Sequence, residues 1–226
     1  MSVELDKIIP LGRSLQEYER MFGLTEADLR RTILGCGDGP ASFNAEMTRR
    51  GHSVISCDPI YTLSAEEIRE RFKRGFYPHL EQVRANQQNY VWSYHRDVDE
   101  LCRTREAAMR TFLEDYPEGS AEGRYVVAEL PTLPFADGQF ELALCSHLLF
   151  LYSNLLSYEF HRSAILEMCR VAREVRIFPL TALSCQVSAH VMPIQQEFRR
   201  RGLRVELRKV NYQFQQNGDE MMRIHK

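Results

Sequence analysis

Ile33-Leu34-Gly35-Cys36-Gly37-Asp38-Gly39-Pro40 runs from a short apolar segment into three glycines at alternate positions. Arg31–Leu34 reads as a strand and the glycines as a turn leading to a helix. Glycine suits such a turn because the backbone must bend sharply and let a ligand approach with no Cβ in the way. Pro40 stands where a helix favours its first residue, Phe43 and Met47 share a face, and Gly51 ends the element. Ser53–Cys57 is a second apolar strand, stopped by Asp58-Pro59. Asp58 follows Gly39 by 19 residues, close to the ~20 expected of an acid that grips ribose hydroxyls. In a parallel sheet the glycine turn and Asp58 both fall at the C-terminal edge, where ligands bind.

Outward from this unit, Ser14-Leu-Gln-Glu17 reads as a capping box, followed by Leu15, Tyr18 and Phe22 on one helical face and Gly23 as a stop. Thr25 with Asp28 opens another short helix. Residues 64–124 are charged and helical in pattern, with Ile68, Phe72 and Phe76 on one stripe and Met109, Phe112, Leu113 and Tyr116 on another. Alternation then resumes: strands at Tyr125–Ala128, Phe140–Ser146 and Glu174–Pro179, helices over 159–172 and 190–201, and a turn at Asp137-Gly138. Leu203–Phe214 and Glu220–His225 read as strands of a terminal hairpin turning near Asn217-Gly218. The expected fold is α/β: a Rossmann-like, doubly wound, mostly parallel seven-stranded sheet with an antiparallel terminal hairpin. Residues 1–226 are expected to form one domain, with N-terminal helices in 1–30 and a helical insertion, 64–124, after the second strand.

Composition narrows the function classes. The 226 residues carry 29 Lys+Arg against 31 Asp+Glu, a net charge of −2, which offers no basic field for collecting nucleic acid. No apolar run reaches the ~20 residues of a membrane helix, and the N-terminus lacks the pattern of a signal peptide. Six cysteines (36, 57, 102, 145, 169 and 185) form no CxxC pair and no zinc-ligand spacing with histidine. A reduced, cytoplasmic protein without a structural metal or membrane contact is expected. A dinucleotide fingerprint wants glycine or alanine at the sixth position of G-x-G-x-x-G; Pro40 stands there, which disfavours a nicotinamide-dependent oxidoreductase.

The segments Ile33–Gly39, Val54–Asp58 and Glu129-Leu-Pro-Thr-Leu-Pro-Phe-Ala-Asp-Gly-Gln-Phe-Glu-Leu-Ala-Leu-Cys-Ser-His147, with the helix–strand run Glu167–Pro179, occur in an order that resembles the class I S-adenosylmethionine-dependent methyltransferases. The resemblance covers roughly residues 31–60 and 124–226. It implies S-adenosylmethionine as cofactor and methyl transfer as the activity. Gly35, Cys36, Gly37, Asp38 and Gly39 would pass the methionine end and sugar, and Asp58 with the adjoining Pro59 would hold the ribose. Glu129 would meet the adenine amino group and Leu130 the adenine ring. Ser146 and His147 would border the sulfonium and the substrate mouth, His147 as the candidate catalytic group, beneath an N-terminal helix bearing Tyr18. The family often carries an acid two residues before the first glycine; here that residue is Ile33, and Asp38 is the candidate replacement. A module that binds S-adenosylmethionine without chemistry is the reading this departure keeps open.

The acceptor is expected to be a small molecule selected by residues 64–124. Phe76, Tyr77, Tyr90, Trp92 and Tyr94 would supply apolar walls there, and His79, His95, Arg96, Asn86 and Asn89 polar handles. The same aromatics could instead pack the inserted helices on each other and on the sheet. Acceptor identity and oligomeric state are not legible in the residues.

Overall fold

Ser14 caps the first helix, α1 (Leu15–Phe22): its hydroxyl accepts the Glu17 N–H, the Glu17 carboxylate accepts the Ser14 N–H, and Gly23 closes the helix in the left-handed conformation at φ 55°. Thr25 and Asp28 repeat the capping box for α2 (Glu26–Leu29). In this computed structural model, which describes residues 8–226, five further helices follow: α3 (Phe43–Arg49), α4 (Ala65–Ala85), α5 (Val98–Ala121), α6 (Tyr158–Val171) and α7 (Val191–Arg200). The strands are β1 (Ile33–Cys36), β2 (Val54–Cys57), β3 (Tyr125–Val126), β4 (Phe140–Ser146), β5 (Ala172–Phe178), β6 (Arg204–Lys209) and β7 (Glu220–His225). They form one sheet in the order β3-β2-β1-β4-β5-β7-β6. Ladders β3–β2, β2–β1, β1–β4 and β4–β5 are parallel, while β7 runs antiparallel to both β5 and β6.

The sheet is covered on both faces. Along β4, Ala143 and Cys145 pack with Ile165, Met168, Ile194 and Phe198 of α6 and α7. Leu142 and Leu144 pack oppositely with Leu15, Phe22, Phe43 and Met47 of α1 and α3. This alternation of side chains along one strand gives each helical layer its own core. Helices α4 and α5 close a third cluster on Ile68, Phe72, Phe76, Phe112 and Tyr116.

Several boundaries differ from the sequence reading. β1 begins at Ile33 rather than Arg31, because Arg31 is drawn into ion pairs with Asp28 and Glu174 at 3.0 and 3.1 Å. α3 begins at Phe43 rather than Pro40: the N-terminal segment crosses residues 40–42, and the Ser42 N–H donates to the Arg13 carbonyl at 3.1 Å. β3 stops at Val126. β6 ends at Lys209, so no tight hairpin joins it to β7; residues 210–219 leave the sheet toward the insertion. There the Val91 N–H donates to the Phe214 carbonyl at 2.7 Å and the Gln216 N–H to the Asn89 carbonyl at 3.0 Å. Asn217 does take the left-handed turn conformation, at φ 61°.

Candidate functional site

The order β2-β1-β4 places β1 and β4 side by side while their connections leave in opposite directions, opening a crevice at the carboxyl ends of the strands. The glycine loop lies there. Gly37 and Gly39 have φ of 65° and 54°, which only glycine adopts without strain. Gly35 answers a different need. A Cβ on it would lie 1.8 Å from Asp38 Oδ2, because the Asp38 side chain folds back across it. That carboxylate is buried, accepting the Tyr18 hydroxyl at Oδ1 and the Ser56 hydroxyl at Oδ2, each at 2.6 Å. Burial pushes the Asp38 carboxyl up to about 6, against the pull of those two donated bonds.

Asp58 fastens the loop to β2. Its Oδ2 accepts the Gly39 N–H at 2.9 Å and its Oδ1 the Ile60 N–H at 2.8 Å. Burial raises this carboxyl too, opposed by the same two N–H groups and by Arg71. Tyr61 donates to the Gly39 carbonyl at 2.7 Å from the other side. At the end of β4, the His147 ring nitrogen Nδ1 lies 2.9 Å from Ser146 Oγ. His147 itself has φ 52°, and its N–H donates to the Phe178 carbonyl at 2.7 Å. Burial first, then the Arg13 and Arg105 charges, hold its imidazole well below the ordinary range, so the ring is neutral.

These groups wall a cavity of about 370 Å³, within the range of small-molecule sites. Of the residues singled out in the sequence, Tyr18, Gly37, Asp38, Gly39, Asp58, Pro59, Glu129, Leu130, Ser146 and His147 line it. Gly35 and Cys36 do not, a correction to the expected contact set. Gly35 is covered by the Asp38 carboxylate. Cys36 is fully buried in the core with Cys57 and Cys145.

The insertion contributes less than its composition suggested. Arg71, His79 and Tyr90 reach the cavity. Phe76 stacks on Phe72 inside the helical pair, Trp92 packs edge-on against Phe214, and Tyr94 packs on Tyr212. Tyr77 is exposed and bonds Glu106. Arg96 pairs with Glu100, and Asn86 caps the end of α4. His95 is buried 3.8 Å from Glu17. Asn89 is bound through its carbonyl to the 210–219 loop.

Sequence reading missed the segment before α1. Ile8, Ile9, Pro10, Leu11 and Arg13 form one wall, and the Ile9 N–H donates to the Tyr152 hydroxyl at 3.1 Å. Tyr152 and Tyr212 were missed as well. No local pattern marks any of them, since each reaches the cavity through a tertiary contact.

The doubly wound sheet with β7 reversed is the architecture implied by the resemblance to class I S-adenosylmethionine-dependent methyltransferases. The chain belongs to the same family as uncharacterized protein MJ0045 of Methanocaldococcus jannaschii, with 35% identity over 227 residues and 99% of each chain covered. No family model matches it. Among solved structures it is similar to magnesium protoporphyrin IX methyltransferase from Synechocystis PCC 6803 with bound S-adenosylmethionine, at 11% identity and a TM-score of 0.45, over 89% of this chain and 73% of that one. It is also similar to a SAM-dependent methyltransferase from Aquifex aeolicus, at 14% identity and a TM-score of 0.43, over 93% and 87%. A TehB-like SAM-dependent methyltransferase from Corynebacterium glutamicum aligns at 13% identity and a TM-score of 0.45, over 87% and 80%.

Proposed function

We propose that this protein binds S-adenosylmethionine at the carboxyl edge of its sheet and transfers the methyl group to a small-molecule acceptor. The observation that carries this reading is the pairing of the glycine loop with Asp58 across one cavity. The residues suit the cofactor: a Cβ on Gly39 would meet nothing closer than 3.8 Å, so backbone and ligand can approach there. Asp58 would accept from the ribose hydroxyls while its two backbone bonds hold it in place. Asp38 would face the methionine ammonium, in place of the acid absent at Ile33. Leu130 would lie against adenine, with Glu129 at the rim for the amino group.

When bound, S-adenosylmethionine supplies a methyl group already activated by its sulfonium. The chain's task is then to exclude water and hold the acceptor in line, about 3–3.5 Å from the methyl carbon. Where the acceptor carries a proton to be lost, neutral His147 would take it at Nε2 in the tautomer whose Nδ1–H donates to Ser146 Oγ. A dinucleotide is disfavoured because a Cβ on Gly12 would sit 1.9 Å from the Pro40 carbonyl oxygen. The N-terminal segment therefore covers the start of α3, where a pyrophosphate would need room. Calorimetry is expected to show micromolar S-adenosylhomocysteine binding, about 8 kcal/mol, and none for NAD. The reverse pattern would sink the proposal.

A further inference from the structure

Beneath the wall formed by residues 8–13 lies a cluster of charges that the methyl-transfer reading does not use. Glu17, fully buried, accepts from Arg105 at 2.8 Å and from the Tyr212 hydroxyl at 3.0 Å. Burial opposes its charge, yet Arg105, Arg13 and the Ser14 N–H hold the carboxyl at about 2, so it is ionised. Arg105 is 2% exposed and Arg13 8%, and guanidinium groups stay protonated in proteins. The histidines around them are neutral: burial, then the two arginines, take His79 down to about 4, and burial and Arg105 do the same to His95. Two buried cations thus share one anion.

Of the two, Arg13 lines the cavity. Its Nη1 donates to the Leu11 carbonyl at 2.7 Å, and its Nε, 3.9 Å from Glu17, has no hydrogen-bond partner. His79 Nδ1, on the cavity wall, is likewise buried without a partner. A buried cation that shares its anion with a second cation and keeps an unpaired N–H is costly unless a ligand completes it. The charge of Arg13 is felt at His147, His79 and Tyr152, from the end of β4, the insertion and the segment after β4, and also at Tyr18, whose hydroxyl bonds Asp38. On the methyltransferase reading His147 borders the substrate mouth, so Arg13 comes within reach of the acceptor as well as of the Tyr18–Asp38 end.

We propose that the end of the cavity walled by Arg13, His79, Tyr152 and Tyr212 receives a carboxylate of the methyl acceptor. The guanidinium supplies planar donors for it, and the single excess positive charge matches a monoanion better than a phosphate dianion. Leu151, Leu156, Phe160 and Leu183 also line the cavity, so the acceptor is a carboxylic acid with an apolar body. This inference rests on the methyltransferase reading for the word acceptor, but the anion site can be tested without it.

The test titrates protein saturated with S-adenosylhomocysteine with benzoate and with its uncharged isostere benzamide, followed by ligand-observed NMR. Wild type is expected to bind benzoate at least about tenfold more tightly. Arg13→Met is expected to abolish that preference while leaving S-adenosylhomocysteine affinity within about threefold. It should not lower Tm, because the Arg105–Glu17 pair remains and only the unbalanced charge is removed. Equal binding of the two probes by wild type overturns the proposal whatever the variant's stability, as does a preference that survives in Arg13→Met. If Arg13→Met loses S-adenosylhomocysteine but keeps 5′-methylthioadenosine, which lacks the carboxylate, Arg13 holds the cofactor's own carboxylate and the acceptor assignment falls. If wild type binds no S-adenosylhomocysteine, the methyltransferase reading fails separately, and the same titration of ligand-free protein still decides the anion site.

Discussion

Asp38 and Asp58 are both acids at the carboxyl edge, and their hydrogen bonds give them different duties. Asp58 holds two backbone N–H groups, from Gly39 and Ile60; Asp38 is held by two hydroxyls, from Tyr18 and Ser56. Asp58→Ala is expected to weaken S-adenosylhomocysteine by about 1.5–3 kcal/mol, the worth of hydrogen bonds to a charged group, as read by calorimetry on protein shown to be folded. For Asp38 the expected signature is pH dependence. Its folded carboxyl, at about 6, titrates above its unfolded value of 3.8, so ionising it costs stability as pH rises between those values and acidification restores it. A ligand ammonium beside it lowers the carboxyl again. Binding should then release a proton and tighten about tenfold between pH 5 and 7.5, since the fraction of ionised Asp38 rises by that factor across its titration. Asp38→Asn should flatten the profile while raising Tm at pH 7.5. A profile unchanged by that variant would remove Asp38 from the cofactor site.

At the scale of elements, the glycine loop is a turn whose three glycines answer to two physical causes. Gly37 and Gly39 need positive φ, whereas Gly35 leaves room for the folded-back Asp38 carboxylate. Gly35→Ala should therefore cost about 3 kcal/mol in urea denaturation, because the carboxylate must give up the Tyr18 and Ser56 hydroxyls to move. Gly138, at φ 64° with nothing within 4 Å of its Cβ position, serves as a control costing about 1 kcal/mol on the same substitution. Equal costs at the two positions would show that backbone conformation, not the Asp38 contact, dictates Gly35. The insertion divides along similar lines. Its stripes at Ile68, Phe72, Phe76 and Phe112 were legible from helical spacing, and they pack α4 on α5. Which of its polar groups would reach the cavity was not legible, because His79 arrives there only through the tertiary placement of α4.

Over the whole molecule, one buried ion cluster ties the sheet's far half to its N-terminal helices. Glu174 on β5 accepts from Arg176 at 2.7 Å, from Arg223 of β7 at 2.6 Å and from Arg31 at 3.1 Å, while Arg176 reaches Asp28 of α2 at 2.9 Å. Burial opposes its charge, but Arg223, Arg176 and Arg31 hold its carboxyl at about 2. With a folded value below the unfolded 4.5, this group contributes stability above about pH 4.5 that is lost as pH falls toward 2. Glu174→Gln should cost about 3 kcal/mol at pH 7 by leaving buried arginines uncompensated, and less near pH 2, as followed by urea denaturation at the two pH values. A cost independent of pH would remove the charge from the explanation.

What the sequence determined by itself was whatever neighbours along the chain decide. Capping boxes at Ser14 and Thr25, the apolar alternation of Phe140–Ser146 and the glycine turn with Asp58 nineteen residues on all act within one element or one βαβ unit. Such interactions leave spacing rules, and those rules led to the doubly wound sheet and to the glycine turn with Asp58; the family resemblance added Tyr18, Glu129, Leu130, Ser146 and His147, and the larger part of the cavity wall was not foreseen. Only the tertiary structure decided the rest. The antiparallel hairpin of β6 and β7 formed as expected, but its first strand stopped at Lys209 instead of Phe214, because Phe214 and Gln216 found backbone partners at Val91 and Asn89. The start of α3 moved because the N-terminal segment crosses Pro40. Arg13, His79, Tyr152 and Tyr212 come from four separate parts of the chain and meet only after the sheet closes. Their unbalanced charge is a property of that meeting, with no periodicity or spacing in the chain to announce it, because charge balance is settled by distance in space.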